Sequence, residues 1–137
     1  MRSLKHLAAL AVIISVWMSA CTYSTTRQIQ LNSFQKAVID TAATKYSFED
    51  IQLQEKTSSG SSGSQKSILI KFINGKNLPL NNDSLNVAGK KLAKAVKKAT
   101  NIGELIDVYI VRFEASKTDG ATTTTNYVDF DYPSSDL

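Results

Sequence analysis

The side chains able to do covalent chemistry are few. One cysteine occurs in 137 residues, Cys21, and one histidine, His6. A thiolate is the strong nucleophile among side chains, and Cys21 follows Met18, Ser19 and Ala20, of which the last two are small enough to enter a peptidase site. Carboxylates offer a second kind of chemistry. Asp129 and Asp131 sit at alternate positions near the C-terminus, with Asp119 in a nearby loop. Paired carboxylates can serve glycoside hydrolysis or bind calcium, but neither a calcium-loop spacing nor a substrate motif accompanies them. The Ser/Gly stretch Thr57–Ser64 lacks the Gly-Lys-Ser ending of a phosphate cradle.

The residues before Cys21 give its thiol a context. Arg2 and Lys5 precede the run Leu7–Trp17, in which only Ser15 is polar. A basic start, an apolar stretch and small residues before a cut are the parts of a secretory signal. The run is too short for a permanent span, which needs roughly 20 apolar residues. Residues 1–21 thus resemble bacterial lipoprotein precursors, with Met18 standing where leucine is usual. The resemblance implies removal of residues 1–20, diacylation of the Cys21 sulfur and often N-acylation. The implied partner is membrane lipid, at the cell membrane. With Thr22, rather than Asp, after the cysteine, the resemblance also implies the outer membrane, in a cell that has one.

Processing at that point changes what the rest can do. Arg2, Lys5 and His6 would leave, so 14 basic residues would face 12 acidic ones and the formal charge would fall from +4 to +2. The remainder would hold no histidine and no free thiol. That excludes Ser-His-Asp and Cys-His catalysis, zinc sites of the usual ligands and intrachain disulfides. No cofactor or metal is expected, and nucleic acid is not an expected partner.

The domain reading is a signal at 1–20, a lipidated cysteine and tether at 21–28, one domain at 29–132 and a tail at 133–137. Leu31, Phe34, Val38 and Ala42 follow helical spacing, predicting a helix over 27–45. Lys36 and Asp40 form an i,i+4 pair on its other side. Residues 49–56 and 65–73 alternate as strands around the Ser/Gly loop. A second helix is expected over 84–101, with Asn82, Asp83 or Ser84 as N-cap and Gly103 as stop. Strands follow at 105–115 and 121–132. The order α-β-β-α-β-β implies an α+β fold, a four-stranded antiparallel sheet with both helices on one face.

An αββ duplication is compatible with the pattern, as is mere likeness of two such units. At an offset of 58, Phe34, Ala37 and Val38 fall on Leu92, Ala95 and Val96, and Ile70 and Phe72 on Val128 and Phe130. At 57, Asp50, Ile51, Leu53 and Gly63 fall on Asp107, Val108, Ile110 and Gly120.

Two surfaces are candidate binding sites. If Ile51, Leu53, Ile68, Ile70, Phe72, Val108, Ile110, Val128 and Phe130 face the helices, the uncovered face carries Leu69, Ile73, Tyr109, Val111, Phe113 and Tyr127. A large exposed apolar patch marks an interaction site, so Leu69, Tyr109, Val111, Phe113 and Tyr127 are candidate contacts for an envelope protein or a second copy of the chain. The other candidate is the row Lys90, Lys91, Lys94, Lys97 and Lys98, on a helix with no acid between 84 and 101. It could meet anionic headgroups or an acidic partner, or stand simply as a solvated face. The favoured expectation is a membrane-anchored, non-enzymatic binding or assembly module of the cell envelope. The alternatives are a small carbohydrate-binding or hydrolytic protein using carboxylates, and an inhibitor of an external macromolecule.

Overall fold

The computed structural model describes residues 23–101 and 105–137. The signal segment, Cys21 and Gly103 lie outside them. The described elements run β1 (Tyr23–Ile29), α1 (Ser33–Ala43), β2 (Asp50–Gly60), β3 (Gly63–Ile73), α2 (Asn82–Thr100), β4 (Val108–Asp119) and β5 (Thr122–Pro133). Short 3₁₀ turns occupy Thr44–Tyr46 and Ser134–Asp136. The fold is α+β, with two helices on one face of a five-stranded mixed sheet ordered β1-β2-β3-β4-β5.

That sheet corrects the four-stranded antiparallel expectation twice. Residues 23–29 are an edge strand, not a tether or the first turns of a helix; Tyr23 pairs with Ser59 and Ile29 with Leu53. β3 and β4 are parallel, with Ser67 opposite Val108 and Ile73 opposite Glu114. Parallel neighbours need a long crossover, usually a helix, and α2 is that crossover.

Both helices begin at asparagine caps. The Asn32 side chain accepts from the Gln35 amide at 2.8 Å, and the Asn32 amide donates to Gln35 Oε1 at 3.1 Å, closing a capping box. Asn81 Oδ1 accepts from the Ser84 amide at 2.7 Å, so the cap precedes the three residues expected. Asn101 ends α2 at φ 50°, a left-handed conformation that asparagine tolerates. The buried stripe of α1 is Ile39 and Ala43, continuing to Tyr46. Phe34 is 73% exposed and Ala42 is exposed, so the inward stripe lies about one residue further along than expected, on half-buried Gln35 and on Ile39 and Ala43.

The core lies between the helices and one sheet face. Leu85, Ala88, Leu92, Ala93 and Val96 from α2 meet Leu53, Ile68, Ile70, Phe72, Tyr109, Val111, Phe113 and Tyr132. The direction of β4 differs from expectation: Tyr109, Val111 and Phe113 point into the core, and Val108 and Ile110 point away. Register sets this, because Tyr109, Val111 and Phe113 lie opposite Ile68, Ile70 and Phe72 on β3 and opposite Tyr132, Phe130 and Val128 on β5. Side chains opposite one another share a face. The outward phase of β4 is mixed, with Val108 and Ile110 followed by Arg112 and Glu114, whereas the inward phase is apolar through Ala115.

The offsets suggested for a duplication do not join equivalent positions. They match core Leu53 with outward Ile110, and exposed Phe34 with buried Leu92. β2 and β4 also run in opposite directions while keeping the lateral order β2-β3-β4-β5. No rotation reverses strand direction, keeps that order and leaves both helices on the same face.

The hairpin turns are tighter than expected. β2 and β3 stay paired to Gly60 opposite Gly63, leaving only Ser61 and Ser62 in the turn. Gly63 sits at φ 120°, which glycine alone adopts freely. β4 and β5 pair out to Asp119 opposite Thr122, around Gly120 at φ 60°.

Candidate functional site

The face away from the helices is mostly polar, built from alternate residues of each strand. One row across it is Gln28, Gln54, Leu69, Ile110 and Asp131; the next is Gln52, Lys71, Arg112 and Asp129; the third is Asp50, Ile73, Glu114 and Tyr127. Its apolar centre is small. Leu69 is there but only 5% exposed, and Ile73, Val108 and Ile110 are half-buried.

Of the five apolar residues expected to bind a partner, this face holds Leu69 and Tyr127. Tyr109, Val111 and Phe113 are 0%, 0% and 4% exposed in the core. The correction has a physical basis: Arg112 and Glu114 share the phase of Val108 and Ile110, so that side of β4 meets solvent and the uncharged phase of Tyr109, Val111 and Phe113 is buried. Tyr127 is 60% exposed.

Around Tyr127 the face has a defined cluster. Arg112 Nε donates to Asp129 Oδ1 at 2.8 Å and Nη2 to Oδ2 at 2.7 Å, a bidentate pair. Its guanidinium also lies 3.9 Å from the Tyr127 ring centre, a cation–π stack. The hydrogen bonds to Asp129, chiefly, raise the Arg112 pKa above its ordinary value, opposed by partial burial. Arg112 and Asp129 side chains remain 23% and 33% exposed, so solvent moderates the pair. Asp129 is therefore engaged with Arg112. Asp131 is exposed one row away, and Asp119 stands at the tip of β4. Arg112 was not among the sequence candidates. The signal for it was the pair Arg112 and Glu114 in one phase of an otherwise apolar stretch; the β4–β5 register then sets Arg112 opposite Asp129.

The lysine row divides. Lys91, Lys94 and Lys98 are exposed and Lys90 is half-buried. Lys97 is held by the C-terminal turn, donating from Nζ to the Ser134 carbonyl at 2.6 Å and to the Leu137 carbonyl at 3.3 Å. Residues 133–137 are thus packed onto the domain rather than a loose tail, and Leu137 joins the core edge.

A shallow cleft of about 330 Å³ lies beside α2. Lys45, Tyr46, Pro79, Asp83, Val87 and Lys91 contribute to its lining. Next to Pro79, Leu80 is fully exposed, and Val87 is 58% exposed. The signal in the sequence was Leu78-Pro79-Leu80, an apolar triplet inside a connector. A second cleft of about 240 Å³ contains the Lys36–Asp40 pair, 2.7 Å apart, with Glu49 and Asp50. Neither cleft is lined by Asp129, Asp131 or Tyr127. Among the described residues, no group of three or more His, Cys, Asp or Glu could hold a metal ion. No described helix is long and apolar enough to cross a membrane.

No family model matches the chain, and no curated protein matches it. Among solved structures, the crystal structure of the Sex pheromone staph-cAM373 precursor is similar over 82% of this chain and 40% of that one, with 14% identity and a TM-score of 0.46.

Proposed function

We propose that the chain is a non-enzymatic binding module of a bacterial cell envelope, acylated at Cys21 and docking a protein partner through the open face of its sheet. The membrane half of this reading rests on the residues preceding Cys21. Burial of acyl chain contributes about 0.8 kcal/mol per CH₂, and stable anchoring takes two signals. Diacylation of one sulfur would supply both chains.

The Arg112–Tyr127–Asp129 cluster carries the docking half. Tyrosine and arginine are the residue types most enriched where binding energy concentrates. Here Arg112 is fixed by two hydrogen bonds and Tyr127 is stacked on it, so little side-chain entropy would be lost on association. Half-buried Ile73 and Ile110 lie beside the cluster.

Crosslinking in intact cells, followed by mass spectrometry, tests the reading. The unaltered chain should yield a protein adduct that the double variant Arg112→Ala, Tyr127→Ser loses while its abundance and membrane partitioning stay unchanged. An adduct containing a second copy of this chain would name the chain itself as the partner. An adduct that survives the double substitution, or an unaltered chain with no adduct, contradicts docking through this face.

A further inference from the structure

We infer that the end of the sheet bearing the β2–β3 turn rests on the lipid headgroups, and that the β4–β5 turn and the Tyr127 cluster face away from the bilayer. This rests on acylation of Cys21. Chain reach is the first ground. Two residues span at most about 7 Å, at roughly 3.6 Å per residue, so an acylated Cys21 holds Tyr23 close to the membrane surface.

Tyr23 is tied to the domain by strand pairing. It begins a strand of seven residues, each paired with β2. Its partner Ser59 is next to Gly60, which opens the β2–β3 turn. The anchor therefore enters at that corner of the sheet.

Topology places the other turn at the opposite end. β3 leaves the β2–β3 turn at Gly63, and β4 runs parallel to it, carrying the β4–β5 turn beyond the end of β3. Gly63 to Ile73, then its neighbour Glu114 to Asp119, makes fifteen residue steps. At about 3.3 Å each, the two turns stand up to about 50 Å apart along the strands. Tyr127, opposite Glu114, belongs to the far part of the sheet. The connector carrying Leu80 also leaves from the far end of β3.

The near end has chemistry suited to an interface with headgroups. Tyr23 is 70% exposed, and tyrosine is enriched at membrane–water boundaries. The Ser61–Ser62 turn offers hydroxyls. Lys66 and Lys98 are there, but so are Asp107 and Asp136: the Lys66 amide donates to Asp107 Oδ2, and Lys97, beside Lys98, bonds the C-terminal turn. Lys56 is there too, opposite Ser67, so charges of both signs meet at this end, and the anchor and the reach of its short link are what set the orientation.

The test uses the full acylated protein in vesicles of phosphatidylethanolamine and phosphatidylglycerol. Acylation occupies Cys21, so Ser61→Cys and Ala121→Cys each present one thiol for a fluorophore. Lipids carrying a nitroxide on the headgroup should quench the label at position 61 several-fold more than the label at 121, with no change on raising salt. A flexible Gly/Ser insertion between Thr22 and Tyr23 should bring the two values together. Equal quenching in a protein that floats with the vesicles overturns the orientation and leaves the lipoprotein reading standing. Failure to float, with no lipid found on Cys21, overturns both.

Discussion

A Cβ at Gly89 would stand 2.6 Å from the Tyr132 hydroxyl oxygen. That hydroxyl donates to Asn86 in the second turn of α2, meeting its carbonyl at 2.7 Å and its Oδ1 at 2.8 Å. Two effects of opposite sign meet at Gly89→Ala. Helix propensity favours alanine by about 1 kcal/mol, whereas the displaced hydroxyl would lose its partners while remaining buried, at roughly 1–3 kcal/mol. Gly89→Ala should therefore destabilise the chain. In the Tyr132→Phe background the oxygen is absent, the ring carbon that bore it lies 3.5 Å away, and the same substitution should be neutral or stabilising. Denaturant titration of the four proteins gives the coupling; additive effects would contradict the packing described.

Tyrosine hydroxyls also set the alkaline limit. Burial pushes the Tyr132 pKa up to about 12 from 10.0, and burial raises Tyr109 as well. The native state then holds protons that the unfolded chain has released, so this contribution is whole below pH 10 and is lost as pH rises through 12. Stability should fall across that window, less steeply in Tyr132→Phe. Tyr109 is fully buried and its hydroxyl has no hydrogen-bond partner among the described protein atoms. Tyr109→Phe should keep or raise the denaturation midpoint, since it removes an uncompensated polar group; a marked fall would show that the hydroxyl is satisfied.

At the scale of elements, β1 is the weak member. Of its seven residues only Ile29 is half-buried, and beyond the ladder it is held by the Arg27–Glu55 pair and a 3.3 Å bond from Gln54 to Gln28. Its amides should exchange with solvent faster than those of β3 and β4, whose Ile70 and Val111 are 0% exposed. Equal protection would contradict the edge-strand account. The same weakness explains why β1 was illegible in the sequence. Tyr23-Ser-Thr-Thr-Arg-Gln-Ile29 has no alternation to read, and it is a strand because β2 offers it an edge. The stripe of α2 was legible, since Leu85, Ala88, Leu92 and Val96 repeat with the helical period and are buried. The inward face of β4 is marked in the sequence only over part of the strand, where Arg112 and Glu114 alternate with Val111, Phe113 and Ala115; Val108 and Ile110, in the same outward phase as the charges, mask it at the start. The Arg112–Tyr127–Asp129 cluster depended on the antiparallel register of β4 with β5. Tyr127 and Asp129 could be placed outward from the sequence, alternating with Val128 and Phe130.

For the whole molecule, one long sheet with both helices on one side leaves a broad open face and two distinct ends. Attachment through β1 would make that sheet a spacer, with lipid at one end and the Tyr127 cluster toward the other. Everything in this arrangement depends on the thioether at Cys21, so the N-terminus of the protein recovered from membranes is the most direct test. Mass spectrometry should find a chain beginning at Cys21 and carrying a diacylglyceryl group, with Cys21→Ser leaving an unlipidated precursor that retains residues 1–20. A recovered chain beginning at Cys21 with a free thiol, or an unaltered chain still beginning at Met1, would contradict the account.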